Sequence, residues 1–163
     1  MPAFFLILKA TYLVGYIVLT LSKKVEYALI ALLHMARKPA SDLATAKEMA
    51  DRYAIPSELL GKVLQALARG KLISSTHGSR GGYQVQRPLQ SITLGEVIEA
   101  VEGPVMLTRC QEDPTQCGQF HACTIKEPIH QIHEQLVRYI HGISLGAFRG
   151  PTVPELAQLE KVL

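Results

Sequence analysis

The cysteines of this 163-residue chain are the residues whose type and spacing most clearly suggest chemistry. All three, Cys110, Cys117 and Cys123, lie within residues 107–124, spaced C-x6-C-x5-C. The segment also contains Pro, Gly, Asp and Gln residues, which favour turns, so we expect a loop and not a helix or strand. A loop can bend three thiols onto one point, which is the geometry that a metal ion or a cluster requires.

Cysteines occur in several kinds of site, and the spacing of these three does not by itself decide which kind is present. Buried free cysteines behave as small apolar residues, but the polar neighbours here argue against a core position. Disulfide pairing would leave one thiol over, and no C-x-x-C pair is present. A structural zinc site would take His121 as its fourth ligand, although the usual C-x2–4-C spacing is missing. The remaining alternative is an iron–sulfur cluster held by three thiolates and one further ligand.

The length, charge distribution and cysteine content of the chain limit what kind of protein it can be. The length fits one domain, or one small domain with an appendage. Residues 22–90 contain eleven Lys and Arg against five Asp and Glu, whereas residues 91–163 contain five against nine. The basic half is suited to a polyanion. Three cysteines in one loop do not resemble a secreted disulfide scaffold, so we expect a cytoplasmic protein. The sequence shows no clear nucleophile–base pair and no clear pair of catalytic carboxylates. We therefore expect neither an enzyme nor a small-molecule substrate.

The first 20 residues are almost entirely apolar, with Lys9 as their only charge. This stretch is long enough to span a bilayer. It lacks the basic start and small-residue end of a signal peptide. Three interpretations compete: a membrane anchor, a buried or swapped N-terminal element, and translated upstream sequence from a misassigned start. We favour the misassigned start, because the globular pattern begins at Leu21 and Ser22, and so we consider a membrane partner unlikely.

Three helices are expected from residues 22 to 70. Ser22 and Ser57 are suitable N-caps, Thr45 starts the run between them, and apolar residues recur at helical spacing after each of the three. Pro39 ends the first helix, and Gly70 closes the third as a C′ glycine. The second and third helices, joined by a tight turn, form a helix–turn–helix pattern. The third helix would then present a DNA-facing surface made of Ser57, Glu58, Leu59, Gly61, Lys62, Gln65 and Arg69.

A hairpin follows directly, which indicates a winged helix. Residues 72–76 and 83–86 have the pattern of two strands, and the turn between them is rich in glycine. His77, Ser79 and Arg80 would lie at the tip of this wing, near the DNA backbone or minor groove. We therefore expect a mainly α-helical fold with a small β-hairpin wing, followed by a long dimerisation helix.

The long helix is expected to mediate a homodimer. Thr93 caps a shorter helix that Gly103 ends, and the cysteine segment follows. Thr124 and Glu127 then form a capping-box pattern. The apolar residues after it form one coiled-coil-like seam, which we expect to meet a second copy of the chain. The members of this seam are Ile125, Ile129, Ile132, Leu136, Ile140 and Ile143. A short last helix is expected at residues 154–163.

Taken together, these segments resemble the Rrf-type winged-helix regulators, including IscR-like and NsrR-like members. The resemblance is carried by LSKKVEYALIALLHMA, IPSELLGKVLQALARGKLI, GSRGGYQVQRP, ITLGEVIEAVEG, the three cysteines and ISLGAF, and it covers residues 21–148. It implies a transcriptional regulator that binds partly palindromic double-stranded DNA as a homodimer. It also implies a [2Fe–2S] or [4Fe–4S] cluster that senses iron or cluster status, nitric oxide or redox state.

By the same resemblance, Cys110, Cys117 and Cys123 are the cluster ligands. IscR-like members take a histidine three residues after the last cysteine, where this chain has Lys126. NsrR-like members take a carboxylate from the first helix of the other subunit, just before Tyr-Ala, where this chain has Glu26. We therefore expect Glu26 as the fourth ligand, with His121 and His130 as the next candidates. A carboxylate is a hard donor on a soft site and should exchange easily.

The chain is thus expected to comprise five parts: an apolar extension (1–20), a winged-helix DNA-binding domain (21–103), a cysteine loop (104–124), a dimerisation helix (125–148) and a tail (149–163). Two other functions stay open at this point. One is a zinc-stabilised regulator without cluster sensing, and the other is a redox protein tethered to a membrane by its apolar extension.

Overall fold

The computed structural model describes residues 20–78 and 80–149. Three parts of the sequence prediction therefore lie outside the described residues. They are the expected apolar extension, except for Thr20, the wing residue Ser79 and the expected helix at 154–163. Within the described part, no helix is both long and apolar enough for a membrane span. The helices and strands are α1 (Lys23–Met35), α2 (Ala46–Tyr53), α3 (Ser57–Arg69), β1 (Ile73–Thr76), β2 (Gly82–Val85), α4 (Leu94–Glu102), α5 (Arg109–Glu112) and α6 (Lys126–Gly142).

Helix α1 is the central element on which the DNA-binding half is assembled. Ser22 caps it, as expected, by accepting a hydrogen bond from the backbone N–H of Val25. Its apolar face packs against α3 and α4. The core around it is made of fully buried apolar side chains, the largest of which are Leu32, Met49, Leu60, Leu64, Leu67, Leu72, Ile73, Leu89, Ile92 and Leu145.

Helices α2 and α3 form the expected helix–turn–helix, but their caps differ from the prediction in one place. Thr45 and Glu48 make a complete capping box at the start of α2. Helix α3 instead has Pro56 as its N-cap residue, and Ser57 is the first helical residue without a side-chain cap. The predicted cap at Ser57 is therefore wrong. Proline has a fixed φ and no N–H, so it can occupy this helix start without losing a hydrogen bond.

The end of α3 corrects a second prediction, because Gly70 does not adopt the left-handed conformation of a C′ glycine. Its φ is −72°, and the left-handed residue is the next one, Lys71, with φ of 57°. Gly70 is needed for space: a Cβ there would lie 2.9 Å from Ala100 Cβ on α4. The glycine therefore allows α3 and α4 to approach each other closely.

The wing is a two-stranded antiparallel hairpin that is fastened to the start of α2. Ile73 pairs with Val85 and Thr76 with Gly82, so each strand is one residue away from its expected bounds. Beyond the hairpin, Tyr83 and Ala44 exchange two backbone hydrogen bonds of 2.8 and 2.9 Å. The wing and the helix–turn–helix are thereby held in one rigid arrangement.

The C-terminal end of α6 is tied to the start of α4. Thr93 caps α4 as expected, and together with Glu96 it forms a complete capping box. Two backbone hydrogen bonds of 2.8 Å, from Leu94 N to Ile143 O and from Leu145 N to Ile92 O, then join the two chain segments. Leu145 is fully buried, so this junction is part of the main core.

The start of α6 and its apolar seam differ from the prediction. Ile125, and not Thr124, is the N-cap residue, and no side-chain hydrogen bond caps the helix. The seam is also divided: Ile140 is 8% exposed within a single chain, whereas Ile125 and Ile132 are 61% and 52% exposed. The C-terminal end of α6 therefore packs on its own chain, whereas the apolar side chains at its start are exposed and available to a partner.

Gly95 should be intolerant of any side chain, because a Cβ there would lie 2.6 Å from the His141 ring. We expect Gly95→Ala to lower the free energy of unfolding by about 1–3 kcal/mol through overpacking. Gly61→Ala is the matched control, since nothing lies within 4 Å of its Cβ position inside α3. It should stabilise by about 0.5–1 kcal/mol. Urea denaturation measures both, and equal effects of the two variants would contradict this packing.

A buried histidine links α1 to α2. His34 is 6% exposed, and its ring nitrogens lie 3.1 Å from the Tyr53 hydroxyl and 3.0 Å from Glu48 Oε1. Lys38 donates a hydrogen bond of 2.7 Å to the other oxygen of Glu48. That bond holds the pKa of the Glu48 carboxyl below its ordinary value of 4.5, although burial acts in the opposite direction. The ionised carboxylate therefore stabilises the fold above pH 4.5, and this contribution is lost as pH falls through the lowered pKa.

Glu48→Gln should test this linkage while keeping a capping side chain. We expect it to lower the free energy of unfolding at pH 7 by about 0.5–1 kcal/mol, a small value because the side chain is partly exposed. The difference from the wild type should shrink as pH falls well below 4.5. Asp51→Asn, an exposed position on the same helix, is the control. A difference that does not change with pH in urea denaturation would refute the linkage.

Candidate metal centre and nucleic-acid interface

The outer face of α3 is a polar surface opposite a fully apolar one. Leu60, Val63, Leu64 and Leu67 are buried on the inner side. The expected DNA-facing residues lie on the outer side, where Ser57, Glu58, Lys62, Gln65 and Arg69 are exposed and Leu59 and Gly61 are half-buried. The helix can therefore offer these side chains to a groove without disturbing the core.

The lysine of this face already has a partner in the free chain. Lys62 Nζ lies 2.7 Å from Glu58 Oε1, one helical turn away, and both side chains are largely exposed. The hydrogen bond from Lys62 lowers the pKa of the Glu58 carboxyl. Such an exposed pair contributes little to stability, so Lys62 can exchange its partner for a base or a phosphate.

The tip of the wing lies beside the start of α2. His77 and Arg80 are both exposed, as expected for residues that approach nucleic acid. Arg80 shares the wall of a surface cavity of about 360 Å³ with Lys38 and Thr45. Arg80 of the wing and Lys38 of the segment between α1 and α2 therefore lie beside the same cavity, whose wall also contains Asp42.

The cysteine segment is more ordered than the expected loop. Cys110 lies in the one-turn helix α5, and a 3-10 turn spans Pro114–Gln116. Asp113 caps that turn: it accepts hydrogen bonds from the backbone and hydroxyl of Thr115, which lower the pKa of its carboxyl. The turn residues seen in the sequence thus form defined local structure between the cysteines.

The structure brings two of the three cysteines to one cavity. Cys110 and Cys123 both line a space of about 360 Å³ between this segment and the start of α6. The Cys110 thiol donates to Thr108 Oγ1 at 3.3 Å. Cys117 is not part of the cavity wall, and its sulfur lies 3.9 Å from Gln119 Oε1. The geometry therefore supports part of the expected ligand set in a single chain.

The donors around this cavity suit a soft metal group but do not converge on one point. Thiolates are the preferred ligands of iron–sulfur clusters and of zinc. A single zinc ion requires its donors at about 2.0–2.3 Å. Among the described residues, no group of three or more His, Cys, Asp and Glu side chains is placed to hold one ion.

The expected fourth ligands occupy different surroundings. Glu26 lies on α1, 2.6 Å from Lys23, and is not part of the cavity wall. Lys126 lies over the Phe120 ring at 4.5 Å. His121 packs edge-on against the same ring and is exposed, and His130 lines the cavity but lies 3.4 Å from Glu134.

Sequence reasoning missed His133, which also lines the cavity. It precedes the seam residue Leu136 by three positions and is half-buried on α6. Its three-residue spacing from His130 places both rings on one helix face, stacked at 6.4 Å. That spacing was the signal in the sequence that could have identified it.

The start of the cysteine segment is connected to α1 by ionic and hydrogen-bonding contacts. Glu102, at the end of α4, accepts hydrogen bonds from Ser22 at 2.5 Å and from Lys24 at 3.4 Å. The bond from Ser22 lowers the pKa of the Glu102 carboxyl. Because Glu26 lies one turn further along α1, this contact joins the helix that carries Glu26 to the chain that leads into the cysteines.

Comparison with known proteins decides the family. Residues 21–148 match the Rrf2 family, described as an iron-dependent transcriptional regulator. This chain belongs to the Rrf2 family. The HTH-type transcriptional regulator NsrR of Oceanobacillus iheyensis is 32% identical over 122 residues, covering 74% of this chain and 81% of the relative. The regulator IscR of Klebsiella pneumoniae is 30% identical over 126 residues, covering 77% of each chain.

The fold also matches solved structures. The structure of CymR, the global cysteine regulator of B. subtilis, superposes with a TM-score of 0.61 at 22% identity, covering 83% of this chain and 99% of that one. The winged-helix fold expected from the sequence is confirmed. As an Rrf2 family member, the chain is a DNA-binding transcriptional regulator and not an enzyme.

Lys62→Ala should test whether the outer face of α3 reads DNA. We expect the affinity for the specific site to fall by about 1–3 kcal/mol, since a lysine contact with a base edge is worth that much discrimination. Affinity for unrelated DNA should fall less. Arg138→Ala removes an exposed cation on α6, far along the chain from α3, and should leave the specific affinity unchanged. Fluorescence anisotropy measures these affinities, and equal losses for both variants would mean that Lys62 supplies only charge.

Proposed function

We propose that this chain is a cytoplasmic, homodimeric transcriptional regulator whose affinity for double-stranded DNA is controlled by an iron–sulfur cluster. The cluster, [2Fe–2S] or [4Fe–4S], would be held by Cys110, Cys117 and Cys123. Glu26 of a second copy of the chain would be the fourth ligand. The observation that carries the proposal is the cavity that Cys110 and Cys123 share in a segment connected to the winged helix at both ends.

The chemistry of the site supports a labile ligand set. Three thiolates bind iron tightly, whereas a carboxylate is a poor match for a soft site. When bound, the cluster would supply iron atoms that react with nitric oxide or oxygen or are lost when iron is scarce. To act as a ligand, Glu26 must give up its ion pair with Lys23, an exposed contact of low free energy. Binding and release of Glu26 are therefore both accessible.

The contacts of the structure suggest how such a change reaches the DNA. Ser22 and Lys24 connect the start of α1 to Glu102, where the cysteine segment begins. Helix α1 also packs directly against α3. A shift of the cysteine segment would move α1 and with it the two α3 helices of a dimer, whose spacing must match half-sites about 34 Å apart.

Each proposed role belongs to one continuous segment of the chain. Residues 21–103 bind DNA through the outer face of α3 and the wing residues His77, Ser79 and Arg80. Residues 104–124 hold the cluster, and residues 125–148 mediate dimerisation. The exposed Ile125 and Ile132 support dimerisation by the N-terminal half of α6. No small-molecule substrate forms part of this proposal.

A zinc-stabilised regulator without cluster sensing is the second candidate function. Its support is the mixture of donors on one cavity, because Cys110, Cys123, His130 and His133 are the ligand types of structural zinc sites. In the part of the chain that the structure describes, no three such donors are placed to hold one ion. Metal analysis of the full chain separates the two candidates, since only one of them contains iron and acid-labile sulfide.

The DNA affinity of the loaded and unloaded protein tests the proposed control. We expect Cys123→Ser to change the affinity for the specific site by 5–150-fold, the usual range of a coupling free energy of about 1–3 kcal/mol. Removal of the cluster from the wild type with a chelator should produce the same change. Thr124→Ser, an exposed neighbour, is the control and should behave as the wild type. Unchanged affinity in Cys123→Ser would refute cluster control of DNA binding.

A further inference from the structure

Two of the residues that line the cavity shared by Cys110 and Cys123 each carry a buried polar atom without a partner. The two atoms are Nδ1 of His133 and Nε2 of Gln111. Within the described part of the chain, neither atom has a hydrogen-bond partner. A buried polar group left unpaired destabilises the folded state. Such groups usually indicate a water molecule, an ion or a ligand that belongs at the site.

The neighbouring histidines are less suited to face such a ligand. His130 lines the same cavity, but its Nε2 lies 3.4 Å from Glu134 and its side chain is 53% exposed. His121 is exposed, lies outside the cavity wall and packs edge-on against Phe120. His133 combines three features instead: it lines the cavity, it is half-buried, and one of its ring nitrogens is buried and unpaired.

The other side chains around the cavity explain why the position is available to an imidazole. Lys126, three residues after Cys123, lies over the Phe120 ring and carries a charge that opposes metal binding. Glu26 is paired with Lys23 on α1 and does not line the cavity of its own chain. In a single chain, His133 is therefore the nitrogen donor with the most suitable surroundings beside the two thiols.

We propose that His133 is an in-chain ligand for the fourth position of the cluster, occupied whenever Glu26 of the second copy does not hold it. This inference rests on the proposed function. In the exchange, the iron–oxygen bond to the carboxylate breaks and an iron–nitrogen bond to the neutral imidazole forms through its lone pair. No electron is transferred and no proton is consumed. Replacement of an anion by a neutral donor makes the site more positive by one charge, which raises its reduction potential.

Two consequences distinguish this role from simple packing. Glu26→Ala should retain its cluster, because His133 takes over the vacated position. The reduction potential of that variant should shift upward relative to the wild type, in the direction set by the lost negative charge. His133→Gln should lack this alternative ligand, so the double variant Glu26→Ala/His133→Gln should lose iron faster than either single variant.

Pulsed EPR on protein labelled with ¹⁵N-histidine and purified without oxygen tests the ligand directly. In the reduced full-length Glu26→Ala variant, we expect a strong coupling of the cluster spin to a histidine nitrogen. The coupling should disappear in Glu26→Ala/His133→Gln. It should persist in Glu26→Ala/His121→Gln, which carries the same substitution at an exposed histidine outside the cavity.

The outcomes separate this inference from the proposed function. A Glu26→Ala protein that contains iron and sulfide but shows no histidine coupling overturns the role of His133 alone. A coupling that survives His133→Gln does the same and assigns the nitrogen to another histidine. Wild-type protein without iron and sulfide overturns the proposed function, and the inference with it. Glutamine preserves the size and polarity of the side chain, and circular dichroism verifies that each variant is folded.

Discussion

The close approach of α4 and α6 at Gly95 is the constraint on which the rest of the arrangement depends. The ring of His141 on α6 occupies the space that a side chain at Gly95 on α4 would fill. His141 Nε2 also lies 3.1 Å from Oε1 of Glu99 on α4. Backbone hydrogen bonds at Leu94 and Leu145 complete the junction. Because α6 is fixed there at its C-terminal end, the cysteine segment is anchored on both sides: it begins at the end of α4, and α6 leads the chain from it back to the winged helix.

This closed connection gives the cysteine segment two mechanical attachments. Its start is held through Glu102 to Ser22 and Lys24 on α1, and its end continues into α6. A ligand bound in the segment therefore acts on both the helix that supports α3 and the helix that offers Ile125 and Ile132 to a partner. Coupling between a bound group and DNA then requires only that these helices can take two alternative positions, one of which the bound group favours. The group itself need not touch the DNA.

Much of the fold could be predicted because local rules and packing agree. Ser22 and Thr93 cap helices as expected, since each directly precedes an amphipathic run, and Thr45 caps the run that it was expected to start. The rules failed at Ser57 and Thr124, where Pro56 and Ile125 take the cap position. The site was harder to predict. Sequence spacing does not reveal that Cys117 lies off the cavity or that His133 is half-buried beside it, because these depend on how α6 packs back on the chain.

The proposed control of DNA binding depends on an iron–sulfur cluster in the cysteine segment. The most direct measurement is the visible absorption spectrum of the full-length protein purified without oxygen, together with its iron, sulfide and zinc content per chain. This account predicts a brown protein with iron and acid-labile sulfide, whose absorption bands bleach on exposure to nitric oxide or air. A colourless protein with one zinc ion per chain, or with no metal, would contradict it and leave the cysteines of this Rrf2 regulator with a structural role.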